Sequence, residues 1–350
     1  MNTIKLEDYG LTEERWGQAG QDKGGYIGRV LSQSRDLYRV ISEQGELLAK
    51  ISGKFRYEVK NQTDYPAVGD FVVMDRSHDA NGNGIIHCVL PRKSVFLRKS
   101  AGIASKEQVI AANVDTVFLC MSMNQDYNLR RMERYLTLAW ESGAIPVIVL
   151  TKADLCNDVY EKLCEVAAIA PGVDILDIST HTKGGWEKIR PYLAYGKTAA
   201  FLGSSGVGKS TLINCLLGRK VLDTQVIRQD DKGRHTTTRR ELLLLPEGGI
   251  LMDTPGMREL GMWDAAEGLE RTFTDVESYF DKCRFRNCTH TNEPGCAIHA
   301  AINAGELSKE RWDSYCKLRS EDAYLEDRSG YMQKKKEKFK SIAKINRKKK

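Results

Sequence analysis

The chain has 350 residues, of which 41% are hydrophobic and 29% are charged, which allows two or three globular domains. The sequence contains no run of about 18 apolar residues and no apolar signal-peptide core, so we expect no transmembrane helix, no secretion and no membrane partner. The nine cysteines are odd in number and scattered, which argues against a disulfide framework and predicts a cytoplasmic, reduced protein.

The positive charge is concentrated at the carboxyl end. The whole chain carries a net charge of +6. Residues Lys334 to Lys350 include ten Lys or Arg and one Glu, a local charge of +9, so the remainder sums to −3. Such a tail suits a polyphosphate partner such as RNA, because Lys and Arg displace condensed counterions. A solvated tail that only aids solubility is the alternative.

Residues 24–99 contain short apolar segments separated by turn clusters. The clearest segments are Gly25–Leu31, Leu37–Ile41, Asp70–Met74 and Gly84–Leu90. About five short strands in a segment of this length predict a small barrel of the OB-fold type.

A basic and aromatic segment lies inside this region, where charged and aromatic side chains alternate. Its members are Lys54, Phe55, Arg56, Tyr57 and Lys60. Such alternation would suit a nucleic-acid-binding face. A strand with its aromatic residues in the core and its charges outside is the other interpretation, and the sequence leaves both open.

From about residue 112 strands and helices alternate, which predicts a parallel sheet in an α/β domain. An apolar strand is expected at Val114–Met121 and a buried one at Ala144–Leu150. Further strands are expected at Val173–Asp177, Thr198–Leu202 and Gly249–Met252. The segment from Leu129 to Ser142 has the pattern of a helix.

A phosphate-binding loop follows the strand that ends at Leu202. Its residues are Gly203, Ser204, Ser205, Gly206, Val207, Gly208, Lys209 and Ser210, and Thr211 begins the next helix. Glycines let backbone N–H groups wrap phosphate at a helix N-terminus. Lys209 is expected to reach the β- and γ-phosphates, and Ser210 to bind Mg²⁺.

A guanine-selecting motif, Thr151-Lys152-Ala153-Asp154, follows an earlier strand. The Asp154 carboxylate can accept hydrogen bonds from the N1–H and the 2-amino group of guanine, a donor pair that adenine lacks. The usual first residue is Asn, and Thr151 is expected to weaken one supporting hydrogen bond. Ser179 and Thr180 follow the next strand and would close over the base.

A third motif, Asp253-Thr254-Pro255-Gly256, should bind Mg²⁺ through water and sense the γ-phosphate. Thr237, in the preceding segment Gly233–Thr238, would complete the Mg²⁺ shell. The residue after Gly256 is Met257, where many GTPases have a glutamine that orients water. We expect slow intrinsic hydrolysis, with His235 or a partner supplying the water-orienting group.

The order of these motifs is rotated. In ordinary small GTPases the phosphate loop comes first and the guanine motif last, whereas here Asp154 precedes Lys209 and Asp253 comes last. The sequence therefore predicts a circularly permuted GTPase domain that continues directly from the γ-phosphate sensor into the next segment.

That next segment carries three thiols and an imidazole within 14 residues: Cys283, Cys288, His290 and Cys296. Zn²⁺ prefers four such ligands in a tetrahedron. A closed set has no open position for chemistry, so we expect a structural zinc and no zinc-dependent nuclease. His299 is a poorer candidate ligand, and unligated cysteines are the alternative. The remaining cysteines mostly lie in apolar runs and are expected in cores.

The motif order, together with Gly233-Arg-His-Thr-Thr-Thr238 and the cysteine and histidine spacing, resembles the RsgA family of ribosome small-subunit-dependent GTPases. The resemblance extends over nearly the whole chain. It implies GTP hydrolysis that the small ribosomal subunit stimulates during its late maturation, with ribosomal RNA and GTP or GDP as partners. It also implies a catalytic role for His235 and the same four zinc ligands.

These observations predict a multidomain chain that acts as a monomer. The expected domains are an OB-fold-like barrel at 1–100, a permuted α/β GTPase domain at 101–267, a helical zinc-binding domain at 268–333 and a basic tail at 334–350. The favoured function is a GTPase that couples hydrolysis to release from the small subunit. The rival is a GTP-gated RNA-binding placeholder or chaperone with little turnover.

Overall fold

Near the amino terminus, five strands of the described chain close into a barrel. The computed structural model describes residues 4–18, 25–79, 82–99, 107–124, 126–182, 184–219, 241–253, 266–291 and 293–326. The barrel strands are β1 (Tyr26–Ser34), β2 (Leu37–Ser42), β3 (Gly45–Ile51), β4 (Phe71–Met74) and β5 (Gly84–Val89). They pair in the ring order β1-β2-β3-β5-β4-β1, in which only β3 and β5 run parallel. This ring confirms the predicted OB-fold barrel.

The basic and aromatic segment forms a short helix between β3 and β4. This helix is α2 (Gly53–Glu58); an earlier helix, α1 (Glu13–Gln18), precedes the barrel. Helix α2 begins after Ser52, whose hydroxyl accepts a hydrogen bond from the backbone N–H of Phe55 at 3.0 Å. This N-cap favours a helix over a strand. Tyr57 is 92% exposed, so the interpretation of the segment as a strand with an aromatic core is wrong.

A two-stranded hairpin connects the barrel to the next sheet. It consists of β6 (Val95–Lys99) and β7 (Glu107–Ala112). The N–H of Val95 donates to the Ser142 carbonyl at 2.8 Å, and the N–H of Ala112 donates to the Val68 carbonyl at 3.0 Å. The hairpin therefore contacts both the barrel and the α/β part.

The α/β part is built on a parallel sheet with helices on both faces. Its strands are β8 (Thr116–Ser122), β9 (Ile145–Thr151), β10 (Asp174–Asp177), β11 (Thr198–Gly203), β12 (Glu241–Leu244) and β13 (Ile250–Asp253), and its helices are α3 (Leu129–Glu141), α4 (Val159–Ile169) and α5 (Lys209–Leu217). Along β8, Val117 and Leu119 pack in one core, and Phe118 packs in the other. Because both faces are buried at the central strands β8, β9 and β11, these strands are almost continuously apolar.

The strand order of this sheet is β10-β9-β8-β11-β13-β12. Strands β8, β9, β10, β11 and β13 are parallel, and β12 is antiparallel to β13. Strand β11 therefore lies beside β8, the first α/β strand in the chain, although β9 and β10 intervene in sequence. The carboxyl ends of all five parallel strands meet at one edge, which is where ligands bind in such sheets.

Within the described residues the barrel and the α/β sheet are continuous. One edge of β1 pairs with β4 from Tyr26 to Arg29. Beyond a bulge between Val30 and Ser32, the same edge pairs with β12, where Ser32 is opposite Glu241. A bulge bends a strand and redirects its edge. The outcome is one sheet that extends from the barrel into the α/β part.

A buried arginine connects the barrel to the segment before it and to the α/β part. The Arg29 guanidinium, 1% exposed, donates to the carbonyls of Tyr9, Gly69 and Asn113 and to the Thr198 hydroxyl at 2.8 Å. Burial lowers the pKa of Arg29 to about 9, which still leaves it protonated at pH 7. The barrel is thereby linked to the first residue of β11.

Contacts divide the chain into the units Met1–Gly261 and Met262–Lys350. In the second unit, helices α6 (Ala266–Thr272), α7 (Thr274–Glu277), α8 (Ala297–Ala304) and α9 (Lys309–Glu326) enclose a core that includes Phe273 and Tyr315. The domain limits given by the sequence stay predictions, and the basic tail lies outside the described residues.

The cysteines outside the zinc segment are only partly in cores. Cys120 is buried, Cys88, Cys156 and Cys215 are half-buried, and Cys164 and Cys316 are exposed, so the expectation of core positions is wrong for the last two. Across the described ranges, no helix combines the length and the apolar character needed to span a bilayer.

We predict that Arg29→Met lowers the free energy of unfolding by about 3–5 kcal/mol, because it leaves buried carbonyls and a hydroxyl without their donor. Urea unfolding at pH 7 measures the change. Arg56→Met is the control, since Arg56 is 58% exposed and contacts Asp36 at 3.9 Å, which predicts a loss below about 1 kcal/mol. Equal losses in the two variants would contradict the role assigned to Arg29.

Candidate active site and metal centre

The phosphate loop begins where β11 lies against β8. Gly203 is opposite Cys120 in the register, and a Cβ at Gly203 would overlap the carbonyl oxygen of Cys120. Gly206 and Gly208 have φ angles of 77° and 104°, which favour glycine. These glycines turn the chain from β11 into α5, so that the helix N-terminus faces the loop, as a phosphate site requires.

Lys209 contacts the beginning of its own loop. Its Nζ donates to the Gly203 carbonyl at 2.7 Å and to the Ser204 carbonyl. Ser210 and Thr211 follow in the first turn of α5 and are half-buried. The ammonium group is therefore already held at the edge of the loop, from which it can turn towards a phosphate.

An arginine on α3 holds the loop from the other side. Arg131 Nη1 donates to the Ser204 hydroxyl and to Asp126 Oδ1, and the Asn128 side chain caps the helix by accepting from the Arg131 N–H at 2.9 Å. Asp126 Oδ2 is buried and has no hydrogen-bond partner among the described residues. Sequence reasoning missed this contact because it depends on α3 following β8, the strand that neighbours β11.

Thr151 links the base-binding motif to the phosphate loop. Its side chain is buried, and its hydroxyl donates to the Val207 carbonyl at 2.5 Å and approaches the Met121 carbonyl at 3.5 Å. The hydroxyl therefore makes a supporting hydrogen bond, and the weakening expected from threonine in place of asparagine stays a prediction.

The residues expected around the guanine base lie together at the ends of β9 and β10. Lys152 adopts a left-handed conformation (φ 59°), and the N–H of Ala153 donates to the Ile178 carbonyl at 3.1 Å. Asp154 is exposed. The buried Ser179 hydroxyl accepts from the backbone N–H groups of residues 181 and 182, and Thr180 is half-buried beside it.

The third motif is described only at its first residue. Asp253 ends β13, at the same edge of the sheet as Gly203 and Thr151. His235, Thr237, Gly256 and Met257 lie outside the described residues. The described geometry thus brings the phosphate loop, the base motif and the backbone of Asp253 to one edge.

The second unit contains a cluster of candidate metal ligands. One ligand atom from each of Cys283, Cys288, His290 and Cys296 lies within 4.8 Å of all the others. The Nδ1 atom of His290 is 3.5 Å from the Cys283 Sγ and 3.6 Å from the Cys296 Sγ. Three thiols and one imidazole converging at this spacing fit a tetrahedral zinc ion.

Local structure orients the histidine ligand. His290 has a φ of 56°, and its ring stacks on Phe280 at a centroid distance of 4.6 Å, with Trp312 edge-on at 5.8 Å. The Glu293 carboxylate accepts from the backbone N–H groups of Thr289 and Thr291 at 3.0 Å each, which closes the turn. Packing and turn bonds therefore fix the imidazole before a metal binds.

The chemistry of the cluster favours a bound cation. The Cys283 Sγ accepts from the Ala297 N–H at 3.3 Å, at the N-terminus of α8. Burial lowers the pKa of the His290 imidazole, which keeps it neutral, and burial together with nearby thiols raises the pKa of Cys288. Zinc binding would therefore release protons. His299 instead contacts the Thr291 carbonyl at 2.8 Å and is not in the cluster.

We predict that Cys288→Ser removes most of the zinc that copurifies with the chain, because three ligands hold a structural zinc poorly. Metal analysis after dialysis against EDTA measures the zinc content. Cys316→Ser is the control, because Cys316 is exposed on α9 and outside the cluster, and it should retain one zinc per chain. Full zinc retention by Cys288→Ser would exclude the assigned ligand set.

Comparison with known proteins agrees with this geometry. A family model described as RsgA GTPase matches residues 89–263. A protein of Lactiplantibacillus plantarum named small ribosomal subunit biogenesis GTPase RsgA 2 is 48% identical over 325 residues, which cover 92% of this chain and 90% of that protein. A protein of the same name from Listeria monocytogenes serotype 4b is 46% identical over 322 residues, with coverages of 92% and 90%.

Two solved structures share the fold. YjeQ from Thermotoga maritima superposes with a TM-score of 0.61 at 30% identity, covering 84% of this chain and 97% of that one. YloQ, described as a circularly permuted GTPase, superposes with a TM-score of 0.59 at 26% identity, with coverages of 89% and 98%. Motif geometry, sequence and fold agree, and the chain belongs to the RsgA GTPase family as a circularly permuted GTP hydrolase.

Proposed function

We propose that the protein hydrolyses GTP on the small ribosomal subunit during its late maturation and leaves the subunit after hydrolysis. The observation that carries this proposal is the convergence of the phosphate loop and the guanine motif at one sheet edge, in a chain whose relatives are named small ribosomal subunit biogenesis GTPases. The protein acts in the cytoplasm as a monomer.

The phosphates bind to the loop from Gly203 to Ser210 and to the N-terminus of α5. Lys209 turns from the carbonyls of Gly203 and Ser204 to the β- and γ-phosphates, and the Ser210 hydroxyl binds Mg²⁺. The positive end of the helix dipole favours the negative charge there. Thr211 completes the first turn.

The guanine base binds between the ends of β9 and β10. Asp154 accepts the two guanine hydrogen bonds, and its exposure leaves the carboxylate accessible to the base. Lys152 lies along the base, and Ser179 and Thr180 close over it. The Thr151 bond to Val207 fixes the distance between the base site and the phosphate site.

Hydrolysis requires an oriented water molecule and a complete Mg²⁺ shell. Asp253 and Thr237 complete the shell, and the Gly256 N–H senses the γ-phosphate. His235 orients the attacking water, because the thioether of Met257 cannot accept and donate as a glutamine does. The small subunit helps to orient these groups around the γ-phosphate, which is why it would stimulate turnover.

Ribosomal RNA contacts the barrel. A cleft of about 990 Å³ beside β1 and β2 is lined by the basic residues Arg35, Arg56 and Lys60 and by the half-buried Tyr65. Cationic side chains neutralise phosphates, and aromatic rings near them suit bases. The zinc-binding segment and the tail from Lys334 to Lys350 extend this contact.

We predict that Asp154→Asn weakens GTP binding about 100-fold and shifts preference towards xanthosine triphosphate, because it removes an ionised acceptor of two hydrogen bonds. Competition of both nucleotides against a fluorescent GDP analogue measures the preference. Asp158→Asn is the matched control, because Asp158 is exposed and makes no side-chain cap on α4. Unchanged GTP affinity in Asp154→Asn would place the base elsewhere.

We predict that purified small subunits raise the turnover of GTP, and that His235→Ala lowers the stimulated kcat while GTP binding stays unchanged. Loss of water orientation raises the barrier to hydrolysis without affecting the bound ground state. Steady-state phosphate release at several salt concentrations measures turnover. Absence of stimulation at every salt concentration would favour the rival function, a GTP-gated RNA-binding placeholder.

A further inference from the structure

The continuous sheet brings a barrel strand next to the hydrolytic motifs. At the first residue of β12, Glu241 is opposite Ser32 of the barrel on one side and opposite Asp253 on the other. Ser32, Glu241 and Asp253 therefore occupy one row across three strands. Because neighbouring strands in a ladder are held about 4.8 Å apart, a shift of the barrel strand displaces the backbone of Asp253.

An ion pair reinforces this row from the barrel. Arg39 of β2 donates from Nη2 to Glu241 Oε1, and its Nη1 lies 3.6 Å from Glu46 Oε2 on β3. The adjacent Tyr38 is 3% exposed inside the barrel, which places Arg39 on the outer face of β2. One guanidinium thus connects two barrel strands to the first residue of β12.

The position of Glu241 in the sheet gives this contact its meaning. Glu241 pairs with the barrel strand on one side and with Asp253, the first residue of the third motif, on the other. The bulge in β1 lies at this point, where the edge of the strand turns from β4 to β12.

From this geometry we infer that Arg39 and Glu241 are positioning residues for GTP hydrolysis, which transmit the state of the barrel to the backbone of Asp253. The inference rests on the proposed function, because the small subunit is the ligand that would set the state of the barrel. It names the route by which subunit binding is coupled to turnover.

A charge-swap experiment tests this route. The four proteins are wild type, Arg39→Glu, Glu241→Arg and the double swap, each assayed for GTP hydrolysis with saturating small subunits at about 0.1 M salt, where an exposed pair is only partly screened. Each single change should lower the stimulated kcat about five- to tenfold, the range expected for coupling between sites. GDP affinity should be unchanged. The double swap should recover part of the loss, because it restores the pair between positions 39 and 241 but not the contact with Glu46.

Arg190→Glu is the control for adding a negative charge. Arg190 pairs with Glu247 at 2.6 Å. Glu247 lies just before β13, at the edge of the sheet opposite the phosphate loop. This variant should hydrolyse GTP as the wild type does.

The affinity of each variant for small subunits distinguishes this route from a direct contact between Arg39 and RNA. Binding of each variant to small subunits is measured with a non-hydrolysable GTP analogue. An RNA contact would weaken binding in Arg39→Glu, and the double swap would not restore it. That outcome, or wild-type kcat in both single variants, would overturn the inference.

Failure of the proposed function gives a different pattern. If small subunits do not stimulate the wild type, the proposed function fails, and the same four proteins are compared in intrinsic turnover. A loss in the single changes and recovery in the double swap would then still support the positioning role, and equal rates in all four would overturn it.

Discussion

Gly203 lies directly against the backbone of Cys120, where β11 pairs with β8. Strand β8 is the first of the α/β strands and leads through β9 to the base motif, whereas β11 leads to the phosphate loop. A side chain at residue 203 would separate these strands. The contact between a glycine and a carbonyl therefore joins the two halves of the permuted sheet, and Thr151 completes the joint through Val207.

The same sheet makes the barrel part of the GTPase. Arg29 fixes the beginning of β11 from beneath the sheet, and β1 continues into β12 at the edge near Asp253. The barrel and the nucleotide-binding loop are thus connected through paired strands. Permutation places the segment that leads to the zinc ligands directly after the third motif in chain order.

The sequence was sufficient for the motifs, the strand pattern and the zinc ligands, because each depends on spacing along the chain. The OB-fold ring was predictable from short strands and turns. The contacts of Arg29 with Thr198, of Arg131 with Ser204 and of Glu241 with Ser32 were not, because the two residues of each pair are 73 to 209 positions apart in the chain. For the segment from Lys54 to Lys60 the sequence left two interpretations open, and the strand interpretation is wrong because the Ser52 N-cap begins a helix there.

The most direct measurement is a crystal structure of the chain with bound GDP and Mg²⁺. The account predicts that the phosphates lie at the backbone N–H groups of the loop and at Lys209, and that the guanine edge faces Asp154 within hydrogen-bonding distance. A base bound away from Asp154, with the phosphates still in the loop, would contradict the claim that pairing of β8 with β11 builds one guanine-nucleotide site from the two halves.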